Sequence, residues 1–138
     1  MVNWTYQKKK ITSIDQVPEG AVGFTYIISL VDGRWYIGRK GLTSTVTRPA
    51  LKGTKRKRKI IKQSDWLTYK SSNKAIKDLD DFEINSRTII EFAYTRKHLT
   101  YLECHALFTL NVLSNPLSIN GNIQGRFFPI DIPGNKKI

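Results

Sequence analysis

The chain reads as an α+β domain, with a small antiparallel three-stranded sheet flanked by helices. Three observations predict it: two strand-like runs meeting at Asp32-Gly33, a β-branched and aromatic run over residues 82–94, and an amphipathic helical segment over residues 98–112. A length of 138 residues suits one domain with a single core, 1–138, and is too short for two.

Residues 1–22 form a polar N-terminal arm with Trp4 and Tyr6 as its anchors, ending at the turn Val17-Pro18-Glu19-Gly20. The hairpin Phe24–Lys40 follows. Its two halves alternate and are rich in Ile, Val and aromatics, and Asp-Gly suits a tight turn needing positive φ. Gly38 lets the backbone leave the sheet sharply, or lets a bulky group approach it. Tyr26 and Tyr36, with Arg39-Lys40 directly behind, are placed to hold phenolic oxygens beside a phosphate.

Residues 41–64 show no clean period, and Gly41, Pro49 and Gly53 predict an irregular insertion. Ser64–Tyr69 reads as a capped short helix or turn that packs Trp66 and Tyr69 inward. Ser71-Ser72-Asn73 offers an N-cap to a short helix carrying Ala75, Ile76 and Leu79 on one side. The run over 82–94 is the third strand. In the last helix Leu99, Leu102, Ala106 and Leu110 recur at helical spacing, with Leu113 continuing the stripe, and Asn115-Pro116 stops it. The tail from Ile119 onward is irregular chain tied down by Phe127-Phe128.

Charge decides the class of partner. The chain holds 23 Lys and Arg against 11 Asp and Glu, a net charge of +12. No acidic residue lies between Asp32 and Asp65, where Arg34, Arg39, Lys40, Arg48, Lys52, Lys55, Arg56, Lys57, Arg58, Lys59 and Lys62 fall. Such a block repels itself unless it faces a polyanion, and it predicts salt-sensitive, sequence-independent phosphate binding. A solvated basic loop is the plainer alternative. No run is long enough to cross a bilayer, and no apolar stretch follows Lys8-Lys9-Lys10 as a secretory leader requires. A single cysteine, Cys104, forms no internal disulfide, and the expectation is a cytoplasmic protein without a membrane partner.

Glu103 is the only acidic residue between Phe92 and Ile130, and helical spacing puts it beside Leu99, Ala106 and Leu110. A buried, unpaired carboxylate costs several kcal/mol, on the order of a lost ion pair, so it needs a cation. Two readings stand: an ion pair with an Arg of the basic block, or a divalent metal ligand completed by waters and substrate phosphate. His98, Cys104 and His105 do not make a zinc site. The two histidines lie two helical turns apart, about 10 Å of rise, and Cys104 and His105 project differently.

Together these residues resemble the GIY-YIG nuclease family, and in particular the catalytic domain of phage-type homing endonucleases. Phe24-Thr25-Tyr26 stands for the first motif and Tyr36-Ile37-Gly38 for the second. Asp65–Ser72 is similar to the family's Tyr-x-Gly-Ser-Gly segment. Ile89-Ile90-Glu91 followed by Leu102-Glu103 matches its strand and metal-binding helix, and Ile119-Asn120 with Gly121 and Gly125 its terminal segment. Phe24-Thr25 replaces Gly-Ile, Ser71-Ser72 lacks the glycines, and Ile119 stands in place of Tyr.

The resemblance implies a metal-dependent DNA endonuclease, phage-encoded and working in the host cytoplasm. Tyr26 and Tyr36 would position or activate the attacking water, and Glu103 would hold one Mg²⁺ or Mn²⁺. Arg39 would clamp the phosphoryl oxygens, with Arg48 and Lys40 as rivals. Asn120 would orient a catalytic side chain or phosphate, or serve as a structural cap. Lys40, Arg48, Lys52, Lys55, Arg56, Lys57, Arg58, Lys59 and Lys62 would bind the DNA backbone, and a homo-oligomer remains open. The alternative is a non-catalytic basic nucleic-acid-binding protein, either an RNA-binding or ribosome-associated domain or an inactive family member.

Overall fold

In the computed structural model, which describes residues 2–135 and 137, the N-terminal segment enters the sheet. β1 (Trp4–Tyr6) and β2 (Lys9–Ile11) pair antiparallel, turning through Gln7 and Lys8, both at positive φ. β3 (Gly23–Leu30) and β4 (Trp35–Gly41) form the expected hairpin, with Gly33 at φ 95° in its turn. β5 (Thr43–Arg48) and β6 (Arg58–Gln63) pair with each other alone, as a separate two-stranded ribbon. A four-residue helix α1 (Lys74–Lys77) is capped by Asn73, whose Oδ1 accepts from the Ala75 amide at 2.9 Å. β7 (Ile84–Ala93) and α2 (Arg96–Thr109) complete the regular structure.

The main sheet has five strands in the order β2-β1-β7-β3-β4, and it is mixed, because β1 runs parallel to β7. This corrects the expectation of a three-stranded antiparallel sheet. The three anticipated strands are its β7-β3-β4 half, while β1 and β2 are three residues each, too short to show an alternation. What fastens β1 is burial. Trp4 is fully enclosed, edge-on to Phe24 at 5.1 Å and Tyr26 at 5.4 Å, with Nε1 donating to the Trp66 carbonyl at 2.7 Å. Residues 41–64 also differ from the irregular insertion expected. Their β-branched run Thr43-Ser44-Thr45-Val46-Thr47 holds a ladder with β6, and Pro49 and Gly53 fall in the tip loop between the two strands.

Directly opposed residues share a face, so the sheet sorts its side chains into two cores. Phe24, Tyr26, Ile28 and Leu30 pack with Trp4, Trp66 and Ile76 on one side. On the other, Ile37 meets Leu107, Val112, Leu113 and Ile123, joined by Ile27 and Trp35. α2 begins two residues before its expected start because Thr95 caps it, accepting from the His98 amide at 3.0 Å. Leu99, Leu102 and Leu107 are its buried residues, while Leu110 is 42% exposed where the helix ends.

One charge lies inside the first core. Arg87 is 2% exposed, lies over the Trp4 ring at 4.4 Å, and donates to the carbonyls of Val2 (2.6 Å), Tyr69 (2.7 Å) and Leu67 (3.0 Å). Burial pulls its guanidinium down to about 10, with Asp81 acting in the opposite direction, so it stays cationic at neutral pH. The Arg fork therefore ties β1 and the 67–69 segment to β7. Arg87→Met is expected to cost about 3 kcal/mol or more, because three carbonyls lose their donor together. A urea melt measures it; a change below about 1 kcal/mol would refute the anchoring role.

Candidate active site

The register of the β3-β4 hairpin builds the first part of the site. Tyr26 lies opposite Gly38 and Ile28 opposite Tyr36, so Tyr26, Tyr36 and Gly38 share a face. Gly38 is the cradle for Tyr26: a Cβ there would fall on the phenolic oxygen and within 2.6 Å of Cζ. The Tyr26 and Tyr36 ring centroids are 6.4 Å apart, and Tyr69 stands edge-on to Tyr26 at 6.1 Å. Three tyrosines thus pack at one end of the sheet, two from the hairpin and one from the segment that Arg87 fastens.

β4 is the edge strand, and the C-terminal segment covers part of that edge. The Ile119 amide donates to the Trp35 carbonyl at 2.8 Å, and the Trp35 amide donates to the Leu117 carbonyl at 3.0 Å. Asn120 continues the pattern with its side chain. Nδ2 donates to the Ile37 carbonyl at 2.8 Å, and Oδ1 accepts from the Ile37 amide at 3.0 Å. The buried amide is committed to main chain between Tyr36 and Gly38, so it positions Tyr36 through the strand.

From the opposite face α2 delivers Glu103. Its Oε1 lies 3.7 Å from Arg39 Nε and accepts from Gln124 Nε2 at 3.1 Å, while Arg39 also donates to Thr100 Oγ1. Tyr36, Glu103 and Asn120 border one cavity of about 220 Å³, together with Asn73, Asn122 and Gln124. The structure therefore brings Tyr36, Glu103 and Asn120 to a common wall at the β4 edge, with Arg39 against Glu103. Tyr26 stands behind Tyr36 and is almost wholly enclosed.

Burial sets the protonation states. Desolvation raises the Glu103 carboxyl above the ordinary range, while Arg39 and then Gln124 act to lower it. Desolvation also raises the Tyr36 phenol, a hydrogen bond with Ser71 opposes this, and the Glu103 charge adds to the rise. Tyr26 is raised further still, by burial first and then by Tyr69. Both shifts favour the protonated phenol at neutral pH, and of the two only Tyr36 faces the cavity, where its hydroxyl can hydrogen-bond a ligand.

A family described as "Putative endonuclease segE, GIY-YIG domain" matches residues 4–124. The chain belongs to the GIY-YIG endonuclease family. No curated protein and no solved structure matches it. The matched span contains the whole hairpin, the ribbon, α2 and the Asn120 segment, so every residue of the wall just described lies inside the GIY-YIG domain.

Other expected contacts of this GIY-YIG domain lie apart from that wall. Lys40 pairs with Asp65 at 2.6 Å and lies over the Tyr69 ring at 4.1 Å. Arg48, Arg58, Lys59 and Lys62 are on the ribbon, and Lys52, Lys55, Arg56 and Lys57 on its tip. Between wall and ribbon lies a recess of about 260 Å³ lined by Arg39, Lys40, Arg96 and Thr100. Arg96, Thr100 and Gln124 escape sequence reasoning. Gln124 in particular arrives by a turn at positive φ, which no period announces.

Glu103 is the one carboxylate on the cavity wall among the described residues, and the neutral amides of Asn73, Asn122 and Gln124 border it. Among the described residues no group of three or more His, Cys, Asp or Glu comes together, so Glu103 is the carboxylate that would hold Mg²⁺ or Mn²⁺. Water and substrate phosphate would supply the remaining oxygens, a usual arrangement for Mg²⁺. His98, Tyr101 and His105 instead stack along α2, with centroids 6.2 Å apart at each step. Among the described residues no helix is long and apolar enough to cross a membrane.

Proposed function

We propose that this GIY-YIG domain is a divalent-metal-dependent DNA endonuclease that hydrolyses phosphodiester bonds, with residues 1–138 as one catalytic unit. The observation that carries the reading is the shared wall of Tyr36, Glu103 and Asn120 with Arg39 alongside. A net charge of +12 and the acid-free block from Gly33 to Ser64 favour a polyanionic substrate. Phage origin and a host-cytoplasmic setting rest on the resemblance to phage-type homing endonucleases.

Each residue has a role in the proposed reaction. Tyr36, neutral and half-buried, aligns the attacking water by hydrogen bonding, while Tyr26 and Tyr69 fix its ring. Arg39 presents a planar fork to the phosphoryl oxygens as charge builds on them. Asn120 and Gln124 hold Tyr36 and Glu103 in place. A cation at Glu103 would supply Lewis-acid stabilisation of the phosphate. One such carboxylate makes one site per chain, so cutting both strands would take two copies or two encounters.

Supercoiled plasmid tests the proposal. Nicking or linearisation is expected with Mg²⁺ or Mn²⁺ and is expected to stop with EDTA. Tyr36→Phe is expected to lower kcat by about 10²-fold, the scale of one lost transition-state hydrogen bond, with the melting temperature preserved. A plasmid that is retarded on a gel yet stays supercoiled under both metals would replace the nuclease with the non-catalytic binder.

A further inference from the structure

The β5-β6 ribbon is the largest feature that the proposed chemistry leaves without a distinct task. Its register sorts it into two unlike faces. Thr43 lies opposite Gln63, Thr45 opposite Ile61, and Thr47 opposite Lys59. The alternate pairs are Ser44 with Lys62, Val46 with Ile60, and Arg48 with Arg58. The first face is mostly uncharged and rich in methyl and hydroxyl groups. At its centre Ile61 is 72% exposed, on a strand that is exposed throughout. The basic groups gather instead on the second face and at the tip, where Lys52, Lys55, Arg56 and Lys57 fall.

We infer that this ribbon enters the major groove of duplex DNA with its Thr45–Ile61 face toward the base edges. The inference rests on the reading of DNA as the substrate. Six residues per strand reach about 20 Å. Two strands with their side chains fill a width of about 12 Å, which is that of the major groove. The Val46–Ile60 pair gives the second face an apolar centre too, with Ile60 38% exposed, but that face is flanked by Arg48, Arg58 and Lys62. Ile61, at 72% exposed, instead stands among Thr43, Thr45 and Thr47 as an alkyl group offered to a base edge. Threonine methyls and Ile61 suit the thymine methyl, Gln63 suits adenine, and Arg48 and Lys62 face the flanking phosphates, as does Arg58, whose Nε donates to the Pro49 carbonyl at 3.3 Å.

The ribbon is also continuous with the site. β4, which carries Arg39 and Lys40, passes through buried Leu42 into β5. A second recess, lined by Lys40, Ser44, Lys62 and Asp65, adjoins the one formed by Arg39, Lys40 and Arg96. Duplex held by the ribbon therefore has a cationic path toward Glu103.

Binding to a random-sequence duplex pool in EDTA tests this without cleavage. Replacing thymine by uracil throughout is expected to weaken binding by about fourfold, the worth of one buried methyl contact. Ile61→Ala is expected to erase that difference. Methyl green, a major-groove ligand, is expected to displace the protein more effectively than netropsin, a minor-groove ligand. Thr45→Glu with Thr47→Glu is expected to weaken duplex binding at least about tenfold at an unchanged melting temperature. Equal affinity for thymine and uracil duplexes, with netropsin the better competitor, would overturn the assignment. Duplex bound with the major-groove signature but never cut with Mg²⁺ or Mn²⁺ leaves the ribbon's role standing and removes the nuclease. Cleavage without that signature does the reverse.

Discussion

Glu103→Gln is expected to abolish DNA cleavage, by about 10³-fold or more, while raising thermal stability at neutral pH. The two effects have one cause. Glu103 is mostly buried, with 15% of its side chain exposed, and its surroundings give it Arg39 at 3.7 Å and Gln124 at 3.1 Å. Burial outweighs them and raises its pKa. A carboxyl raised in the folded state binds its proton more tightly there than in the unfolded chain. Its stabilising contribution is complete below the unfolded pKa and is lost as pH rises through the folded one. Ionised Glu103 at neutral pH therefore costs stability, and the isosteric amide removes that cost.

Calorimetry checks the sign. The glutamine variant is expected to melt above wild type at pH 7, with the gap closing as wild-type Glu103 protonates in acid. Cleavage by wild type is expected to fall on the acid side at a pH above the ordinary carboxylate range, since protonation removes the charge that would hold a cation. A variant that cuts within about tenfold of wild type would remove Glu103 from the chemistry. One that cuts poorly and also melts lower at pH 7 would make the carboxylate a structural ion-pair partner of Arg39, which was the competing reading from sequence.

Both features that flagged the site were legible because each is local. Asp32-Gly33 marks its own turn, and Glu103 stands out from a helical period within a few residues of itself. What sequence could not give is held by contacts between distant residues. Asn120 meets Ile37 across 83 positions, and Arg87 reaches the carbonyls of Tyr69, Leu67 and Val2 across 18, 20 and 85 positions. In the sequence Arg87 is only one more charge in a strand. β1 was hidden because three residues cannot show alternation and its stability comes from enclosing Trp4. The ribbon was hidden for the opposite reason: Lys and Arg occupy both faces of β6, so its period carries no apolar signal, and Ile60-Ile61 places one isoleucine on each side.

Gly38→Ala is expected to be strongly disruptive for a single added methyl. The added Cβ would meet the Tyr26 hydroxyl and come within 2.6 Å of Cζ, closer than van der Waals contact allows. Tyr26 cannot swing aside, because it is 1% exposed and held edge-on by Trp4 at 5.4 Å and Tyr69 at 6.1 Å. The remaining relief is to part β4 from β3, which would shift Tyr36 and the Asn120 clasp together. Overpacking of this kind costs about 1–3 kcal/mol or more, and displacing Tyr36 is expected to lower cleavage by about 10²-fold or more. The cause is steric and not conformational, since Gly38 is absent from the positive-φ glycines. Gly33 supplies the contrast: it has open space around its Cβ position but φ 95°, so Gly33→Asn is expected to cost about 1 kcal/mol through backbone strain alone and to leave cleavage unchanged. A double-mutant cycle settles the mechanism. If the ring is the obstacle, Tyr26→Leu rescues a large part of the Gly38→Ala loss, a coupling of about 1 kcal/mol or more. Additive losses in urea melts would mean that Gly38 is required for some reason other than the ring that lies across it.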